Sequence, residues 1–218
     1  ETKSPTRVDL AGGTLDFWPI YLMIPDSLTI NCSIDIYTGV EIETTESDEI
    51  TVKIDNLDFE KTYADHKSFM VADDKEAALV KVIAEHFGEM GGYKIRTFSG
   101  SPVGGGLGGS SSLCISLINS YLQMKNQTMD ISTKVQLAAN LEAKVLKTPT
   151  GCQDHFPAAN VGLNVIHFKD LGPQLEQIEF DADFFSERCF LVDTGKAHHS
   201  GINNWEVYKA VIEKDASV

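Results

Sequence analysis

The residues best suited to binding a ligand form a glycine-rich run at positions 102–112. This run reads P-V-G-G-G-L-G-G-S-S-S and precedes an amphipathic helical pattern. Backbone without a Cβ can approach a ligand closely, and the start of a helix offers unpaired N–H groups with partial positive charge. Together these features predict a phosphate site, to which the serine hydroxyls add hydrogen bonds or a metal ligand. The alternative is a flexible turn with a serine cap, since the run lacks the lysine of a G-x-x-x-x-G-K-S/T loop.

Three carboxylates stand in settings that suit the transfer of a phosphoryl group to a hydroxyl. Asp16 ends the segment R-V-D-L-A-G-G-T-L-D and precedes two aromatic residues, a setting that suits sugar hydroxyls. Glu142 lies in the nearly uncharged stretch 135–146, and Asp154 lies in the tight turn T-P-T-G-C-Q-D. Phosphoryl transfer needs charge neutralisation and a residue that orients or deprotonates the acceptor. The alternatives are that Asp16 and Asp154 cap turns and that Glu142 faces solvent.

A polar segment near the C-terminus is a further candidate for contact with an acceptor. It reads D-T-G-K-A-H-H-S-G at residues 193–201 and follows a predicted strand. Lys196, His198 and His199 would offer cations to a distant phosphate, which an acidic protein otherwise repels. A surface loop without a ligand is the equal alternative for this segment.

Apolar periodicity predicts the elements that would position these residues. Strands are predicted at 6–11, 28–43, 50–54, 93–98, 163–168, 175–180 and 188–193, and the second of these is either one long strand or two strands broken at 38–39. Helices are predicted at 74–87 with Asp74 as the cap, directly after the glycine run, at 133–147 and at 203–213, and residues 56–73 read as an irregular surface segment. Strands and helices do not alternate as βαβα, so the pattern predicts an α+β fold.

Composition narrows the range of functions. The chain of 218 residues is 42% hydrophobic and 23% charged, which fits one or two globular domains and excludes a disordered chain. The net charge of −14 argues against general binding to nucleic acid or to an anionic membrane, because that binding uses Lys and Arg to neutralise phosphates. The four cysteines lie far apart, and neither a signal-peptide pattern nor an apolar run of about 20 residues is found. We therefore expect reduced thiols in a cytoplasmic protein.

Three segments resemble signature motifs of the GHMP kinases, a superfamily named for galactokinase, homoserine kinase, mevalonate kinase and phosphomevalonate kinase. The glycine run resembles the second motif, P-x-G-x-G-L-G-S-S-A/S, except that Gly109 replaces the first serine. R-V-D-L-A-G-G-T-L-D is similar to the first motif of the bacterial heptose-7-phosphate kinases, R-x-x-L-A-G-G-G-T-D, and T-P-T-G-C-Q-D contains their G-x-Q-D. The motifs occur in the family's order, and the resemblance covers about residues 4–200.

The resemblance implies an α+β GHMP kinase fold. Residues 1–170 would form an N-terminal, ATP-binding domain of the ribosomal protein S5 domain 2-like type, with a left-handed β-α-β unit around the phosphate loop. Residues 171–218 would begin a second α/β domain. The family's third glycine-rich motif, G-x-G-x-G-G, is not found, so this second domain is expected to be incomplete.

The resemblance also implies roles within the site. Asp154 would be the catalytic base with Arg7 beside it, and Ser110 and Glu142 would hold the Mg²⁺ of ATP. ATP would contact Pro102, Gly104, Gly105, Gly106, Leu107, Gly108, Gly109, Ser110, Ser111 and Ser112. The acceptor would contact Gly13, Thr14, Asp16, Gln153, Lys196 and His198.

The implied activity is that of an ATP-dependent kinase that phosphorylates a hydroxyl of a sugar or sugar phosphate, with a heptose 7-phosphate-like acceptor favoured and a homodimer left open. A galactokinase-like or other free-sugar kinase is one alternative, although the G-E-H-T-D-Y-N segment of galactokinases is missing. A nucleotide- or sugar-binding domain without catalysis is another. A decarboxylase of the mevalonate diphosphate type is disfavoured by Asp16 and the sugar-like first motif.

Overall fold

The computed structural model describes residues 1–192 together with residue 195, residues 209–210 and residues 212–213. In this part of the chain, seven strands form one mixed sheet and helices pack against it. The strands are β1 (Thr2–Ala11), β2 (Leu28–Thr44), β3 (Ile50–Ile54), β4 (Phe59–Tyr63), β5 (Tyr93–Ser99), β6 (Leu163–Lys169) and β7 (Gly172–Ile178). The helices are α1 (Ile20–Met23), α2 (His66–Val71), α3 (Ala78–Phe87), α4 (Gly109–Met124), α5 (Ile131–Leu146), α6 (His155–Ala159) and α7 (Ala182–Ser186). No helix in these described ranges has the length and apolar character needed to span a membrane.

β2 is the centre of the sheet because its 17 residues pair with three other strands. β1 runs antiparallel along β2, while β5 pairs with its second half and β6 with its first half. Beyond β5, β3 pairs in parallel and β4 follows it, so the order is β4-β3-β5-β2-β6-β7. β2 continues through Gly39, where a Cβ would lie 2.2 Å from the ring of Phe98. The α+β prediction is confirmed, and the segment after Leu28 is one strand rather than two.

α4 is deeply buried and carries the glycine run at its N-terminus. Its side chains Ile115, Leu117 and Tyr121 are fully buried in the core that the sheet forms with α3 and α5. In its first turn, the hydroxyl of Ser112 donates to the carbonyl of Ser4 at 2.9 Å and lies 2.8 Å from the hydroxyl of Thr38. The start of α4 is therefore tied to β1 and β2, and the glycine run that leads into it has a fixed position.

The prediction of an irregular surface segment at 56–73 is wrong. β4 and α2 occupy it, and Phe69 of α2 is fully buried with its ring centroid 4.8 Å from that of Tyr63. Asp65 begins α2 as its cap, because its side chain accepts a hydrogen bond from the N–H of Ser68 at 2.7 Å. β4 is a short strand at the sheet edge and α2 has only six residues, so their few apolar side chains form no clear period.

The cap predicted for α3 is also wrong. The helix begins at Ala78, while Asp74 accepts hydrogen bonds from Lys61 Nζ and Tyr63 Oη, both at 2.8 Å. These bonds attach Asp74 to β4, which the sequence pattern does not reveal. α5, in contrast, begins close to its predicted start and is capped by Asp130, which accepts from the N–H of Thr133 at 2.9 Å.

The strand predicted at 188–193 is absent over 188–192, which is the part of it that the structure describes. Phe190, Leu191 and Val192 are exposed instead. An apolar run forms a strand only where neighbouring backbone satisfies its N–H and C=O groups, and no described strand pairs with this one.

β7 is shifted relative to its prediction at 175–180 because it forms a hairpin with β6, from Lys169 opposite Gly172 to Leu163 opposite Ile178. The predicted domain division between residues 170 and 171 falls in this hairpin and stays a prediction. The helix predicted at 203–213 falls largely outside the described residues.

We expect Phe69→Ala to lower the free energy of unfolding by about 3–5 kcal/mol, because it removes a fully buried ring. Val71→Ala in the same helix is the matched control, since Val71 is 76% exposed and its truncation should cost less than about 0.5 kcal/mol. Urea unfolding followed by circular dichroism measures both variants. Small and equal effects would mean that α2 does not pack on the core.

Candidate active site

Asp154 lies where β1, the glycine run and the turn before α6 meet. Arg7 of β1 donates to Oδ1 of Asp154 twice, from Nε at 2.9 Å and from Nη2 at 2.7 Å. Asp154 is the residue that precedes α6, yet its side chain makes no capping hydrogen bond. The alternative that this aspartate only caps a turn is therefore wrong. Its second oxygen, Oδ2, accepts no hydrogen bond from the described residues.

Arg7 connects Asp154 to the glycine run. Its side chain is buried, its Nη1 donates to the carbonyl of Gly106, and its own N–H donates to the carbonyl of Leu107 at 3.1 Å. Oδ1 of Asp9 lies 3.3 Å from Nε on the same guanidinium. Burial on its own would lower the pKa of Arg7, but the charges of Asp154 and Asp9 outweigh it and raise that pKa. Arg7 is thus a permanent cation that positions Asp154.

The glycine run folds as a tight loop between β5 and α4. Gly104, Gly106 and Gly108 have φ of 71°, 73° and 69°, a left-handed conformation that residues with a side chain rarely adopt. A Cβ on Gly108 would lie 3.3 Å from Oδ2 of Asp154, so the loop passes directly beside that carboxylate. α4 begins at Gly109 without a side-chain cap, which leaves its first N–H groups available to an anion. ATP binding at this loop stays a prediction.

The other residues of the predicted ATP site differ in exposure. Leu107 is buried and anchors the middle of the loop, and Gly105 packs so closely on Pro102 that a Cβ would lie 2.8 Å from the proline ring. Ser110 is exposed, whereas Ser111 is buried. Ser112, described above, is directed to the sheet and not to the loop.

Glu142 of α5 is buried against the start of α4, so the alternative of a solvent-facing glutamate is wrong. Ser111 Oγ donates to Oε2 of Glu142 at 2.8 Å. Nε2 of His155 lies 2.9 Å from the same oxygen, as an ion pair rather than an aligned hydrogen bond. Burial would raise the pKa of Glu142, but His155 and the hydroxyls of Ser110 and Ser111 outweigh it and lower that pKa.

Ser110 and Glu142, the predicted magnesium ligands, are neighbours, since the Ser110 hydroxyl helps to lower the pKa of that carboxylate. Two oxygen ligands suit Mg²⁺, which keeps several waters and binds largely through substrate phosphates. In the described part of the chain, no three His, Cys, Asp or Glu side chains cluster as a metal site. The pair therefore fits an ion that arrives with a nucleotide, and Mg²⁺ binding stays a prediction.

Residues 75–162, which contain the glycine run, Glu142 and Asp154, match the family described as GHMP kinases N terminal domain. The chain carries a GHMP kinase N-terminal domain. The D-glycero-α-D-manno-heptose 7-phosphate kinase of Campylobacter jejuni is 25% identical over 171 residues, which cover 77% of this chain and 50% of that protein. The galactokinase of Pyrococcus furiosus is 29% identical over 192 residues, which cover 83% of this chain and 50% of that protein. The chain thus spans about half the length of these curated relatives.

Solved structures confirm the GHMP kinase fold. A D-glycero-D-manno-heptose 1-phosphate kinase from Bacteriodes thetaiotaomicron superimposes with a TM-score of 0.76 at 26% identity, over 85% of this chain and 62% of that one. The mevalonate kinase of Methanococcus jannaschii superimposes with a TM-score of 0.65 at 19% identity, over 86% and 58%. The similarity to the mevalonate kinase concerns the fold alone.

In this GHMP kinase domain, Asp16 lies beneath the turn that carries Asp154. Its Oδ2 accepts the N–H of Gln153 at 2.9 Å, and a Cβ on Gly151 would lie only 1.8 Å from the same oxygen. Burial, together with the charge of Asp154, raises the pKa of Asp16 to about 6, although the N–H of Gln153 acts in the opposite direction. Asp16 therefore positions the turn, and its contact with sugar hydroxyls stays a prediction.

Two of the other predicted acceptor residues, Gly13 and Thr14, lie in the turn that precedes Asp16. Gly12, Gly13 and Thr14 have φ of 81°, 109° and 62°, and this conformation strains Thr14 because its side chain is β-branched. A Cβ on Gly13 would lie 4.0 Å from Nε2 of Gln153, which places the turn at 12–14 beside that amide. Lys196, His198 and His199 lie outside the described residues.

Sequence reasoning missed four residues that contact the site. Thr29 and Asn31 of β2 are fully buried and donate to Gln153, from Thr29 Oγ1 to Oε1 at 2.9 Å and from Asn31 Nδ2 to the carbonyl at 3.0 Å. The other two are Asp9 beside Arg7 and His155 beside Glu142. The available signal for Thr29 and Asn31 was that polar residues alternate with apolar ones along this strand. The same alternation is also typical of a strand with one face in solvent, so it did not indicate a site.

We expect Asp16→Asn to stabilise the domain above pH 6 by about 1–3 kcal/mol. A carboxyl whose pKa rises from 3.8 to about 6 on folding favours the folded state when protonated, and this contribution is lost as the pH rises through 6. Asparagine keeps an oxygen for the N–H of Gln153 without the buried charge. Urea unfolding at pH 4.5 and 7.5 measures the effect, with the exposed Asp35→Asn as control. The same stability difference at both pH values would contradict the raised pKa.

Proposed function

We propose that this GHMP kinase domain is the ATP-binding part of an enzyme that transfers the γ-phosphate of ATP to a hydroxyl of a sugar or sugar phosphate. The Arg7–Asp154 pair carries the proposal. Oδ1 of Asp154 is held by Arg7, while Oδ2 accepts no hydrogen bond from the described residues and lies beside the glycine run. A general base needs this combination of a fixed position and a free oxygen within reach of the reacting groups.

In the proposed reaction, the phosphates of ATP bind to backbone N–H groups of the glycine run and of the first turn of α4. An acceptor hydroxyl that reaches Oδ2 of Asp154 is then next to the phosphates, because a Cβ on Gly108 would lie only 3.3 Å from that oxygen. Asp154 accepts the proton of the hydroxyl as the phosphoryl group is transferred. Arg7 remains charged and keeps the carboxylate in place.

We propose Ser110 and Glu142 as the residues that hold Mg²⁺. When bound, the ion would neutralise charge on the phosphates of ATP, which matters in a protein with a net charge of −14. Ser111 and His155 both contact Oε2 of Glu142 and so fix the carboxylate.

A heptose 7-phosphate-like acceptor is favoured by the G-x-Q-D segment and by the name of the Campylobacter relative, and the name of the Bacteriodes kinase supports a heptose phosphate in general. Lys196 and His198 are the residues that we expect near its phosphate. Similarity to the Pyrococcus galactokinase supports a free-sugar kinase as the second candidate. An ATPase-coupled assay of the full-length protein on sugars and sugar phosphates decides between them. Absence of turnover on every acceptor would favour a binding domain without catalysis.

We also propose a cytoplasmic location, because the four cysteines of the chain lie far apart, which is typical of reduced thiols. The division into an ATP-binding domain at 1–170 and a second domain from 171 is part of the same proposal. A homodimer is the assembly to test, by light scattering of the purified protein.

We expect Asp154→Asn to reduce kcat by about 100-fold or more while ATP binding survives, because the amide cannot accept the proton and the nucleotide is held elsewhere. Steady-state kinetics and a nucleotide-binding titration measure the two effects. Asp35→Asn, on the exposed face of β2, is the control. Near-normal kcat in the Asp154 variant would refute the assignment of the base.

We expect Ser110→Ala and Glu142→Gln each to raise the Mg²⁺ concentration needed for half-maximal activity, because each removes one oxygen ligand or its charge. Excess Mg²⁺ should partly rescue the glutamine variant, which retains a neutral oxygen. Glu85→Gln is the control, since Glu85 is exposed and binds only Lys144 among the described residues. Unchanged magnesium titrations in both site variants would place the metal elsewhere.

A further inference from the structure

We propose that Thr29 is a positioning residue for acceptor specificity. Its hydroxyl fixes the side-chain amide of Gln153 so that Nε2, a hydrogen-bond donor, faces the acceptor site. The inference rests on the proposed function and deepens it, because it identifies an atom of the site that would bind an oxygen of the sugar. Nothing in the sequence motifs points to Thr29.

Gln153 is held on three sides by hydrogen bonds. Its N–H donates to Oδ2 of Asp16 at 2.9 Å, its carbonyl accepts from Asn31 at 3.0 Å, and its side-chain Oε1 accepts from Thr29 Oγ1 at 2.9 Å. Backbone and side chain are therefore both fixed. Within the described ranges, Nε2 is the one polar atom of Gln153 that makes no hydrogen bond.

Thr29 is well placed to hold the amide because it cannot move. It is fully buried in β2, where it lies opposite Ile166 of β6. A Cβ on Gly12 would lie 3.0 Å from its hydroxyl oxygen, so the turn at 12–14 packs directly on it. A β-branched side chain on a strand also has few χ1 rotamers. The hydroxyl oxygen of Thr29 is thus held in place, and it donates to Oε1 of Gln153.

The orientation of the amide follows from this donor. Because Oε1 is bound to Thr29, Nε2 points to the opposite side, where the missing side chain of Gly13 leaves open space. The site then presents an N–H donor from the residue that lies directly before Asp154 and is bonded to Asp16. A sugar hydroxyl both donates and accepts, so this donor complements the two carboxylates. A reversed amide would place a third acceptor oxygen there, and the site would lose its donor for a sugar oxygen.

The test compares Thr29→Val, which keeps the shape and removes the hydroxyl, with Thr29→Ser, which keeps the hydroxyl. The acceptor probes are D-glycero-D-manno-heptose 7-phosphate and galactose. We expect Thr29→Val to lower kcat/KM for the acceptor by about 5- to 30-fold and to leave the KM for ATP within about twofold. Thr29→Ser should restore most of the loss, and adding Gln153→Glu to Thr29→Val should cost little more than Gln153→Glu alone.

Thr51→Val is the matched control, since Thr51 also loses a hydroxyl bond on a strand, to Thr62 at 2.9 Å, on an exposed face. The inference is overturned if Thr29→Val behaves like Thr51→Val, or if Thr29→Ser is as impaired as Thr29→Val.

A second readout does not depend on activity. The side-chain amide resonance of Gln153 in the ligand-free, ¹⁵N-labelled protein should shift in Thr29→Val and return in Thr29→Ser. An unchanged resonance in Thr29→Val overturns the inference even if the protein is a kinase. If the wild-type protein turns over no acceptor but the Gln153 resonance still shifts in Thr29→Val, the proposed kinase activity is refuted and the orientation of the amide is supported.

Discussion

The buried ion pair between Arg7 and Asp154 is the interaction on which the rest of the site depends. A guanidinium that is only 8% exposed needs partners, because a buried charge without them costs several kcal/mol. Its partners come from separate segments: Asp154 before α6, Asp9 in β1 and the carbonyl of Gly106 in the glycine run. If one segment moved, charge would be left unpaired. The pair therefore couples the glycine run to Asp154, and β2 and α4 hold the segments together.

The same arrangement concentrates negative charge. Asp9, Asp16 and Asp154 all lie near one arginine, and burial with the charge of Asp154 raises the pKa of both Asp9 and Asp16. A site that minimised its own folding energy would not bury a carboxylate with a pKa of about 6. Such costs are common where a site is organised for a ligand rather than for stability. In the proposed reaction, the acceptor would bring hydroxyl donors to these carboxylates, and Mg²⁺ would bring positive charge to the phosphates of ATP.

Close backbone approach is the second constraint. Gly151 allows the turn before α6 to lie directly on Asp16, because a Cβ there would be 1.8 Å from Oδ2. Gly108 allows the glycine run to pass close to Asp154, because a Cβ there would be 3.3 Å from Oδ2. A side chain at either position would separate parts that have to touch. Glycine in these segments therefore has a packing role in addition to its conformational freedom. Gly108 thus keeps the glycine run close beside the proposed base, Asp154.

The sequence by itself determined the class of fold, the glycine run before a helix and the carboxylates at Asp16, Glu142 and Asp154, because these features depend on local periodicity and on residue types in short motifs. It also predicted β3 to the residue and β2 within one residue. The resemblance to the GHMP kinases placed Arg7 beside Asp154. Only the tertiary structure decided that Asp154 does not cap α6, that Glu142 is buried, and that Thr29 and Asn31 hold Gln153. It also placed Phe69 in the core and left Phe190 exposed. These outcomes depend on which distant segments meet, and neither alternation of apolar residues nor turn chemistry records such contacts across more than 100 residues of chain.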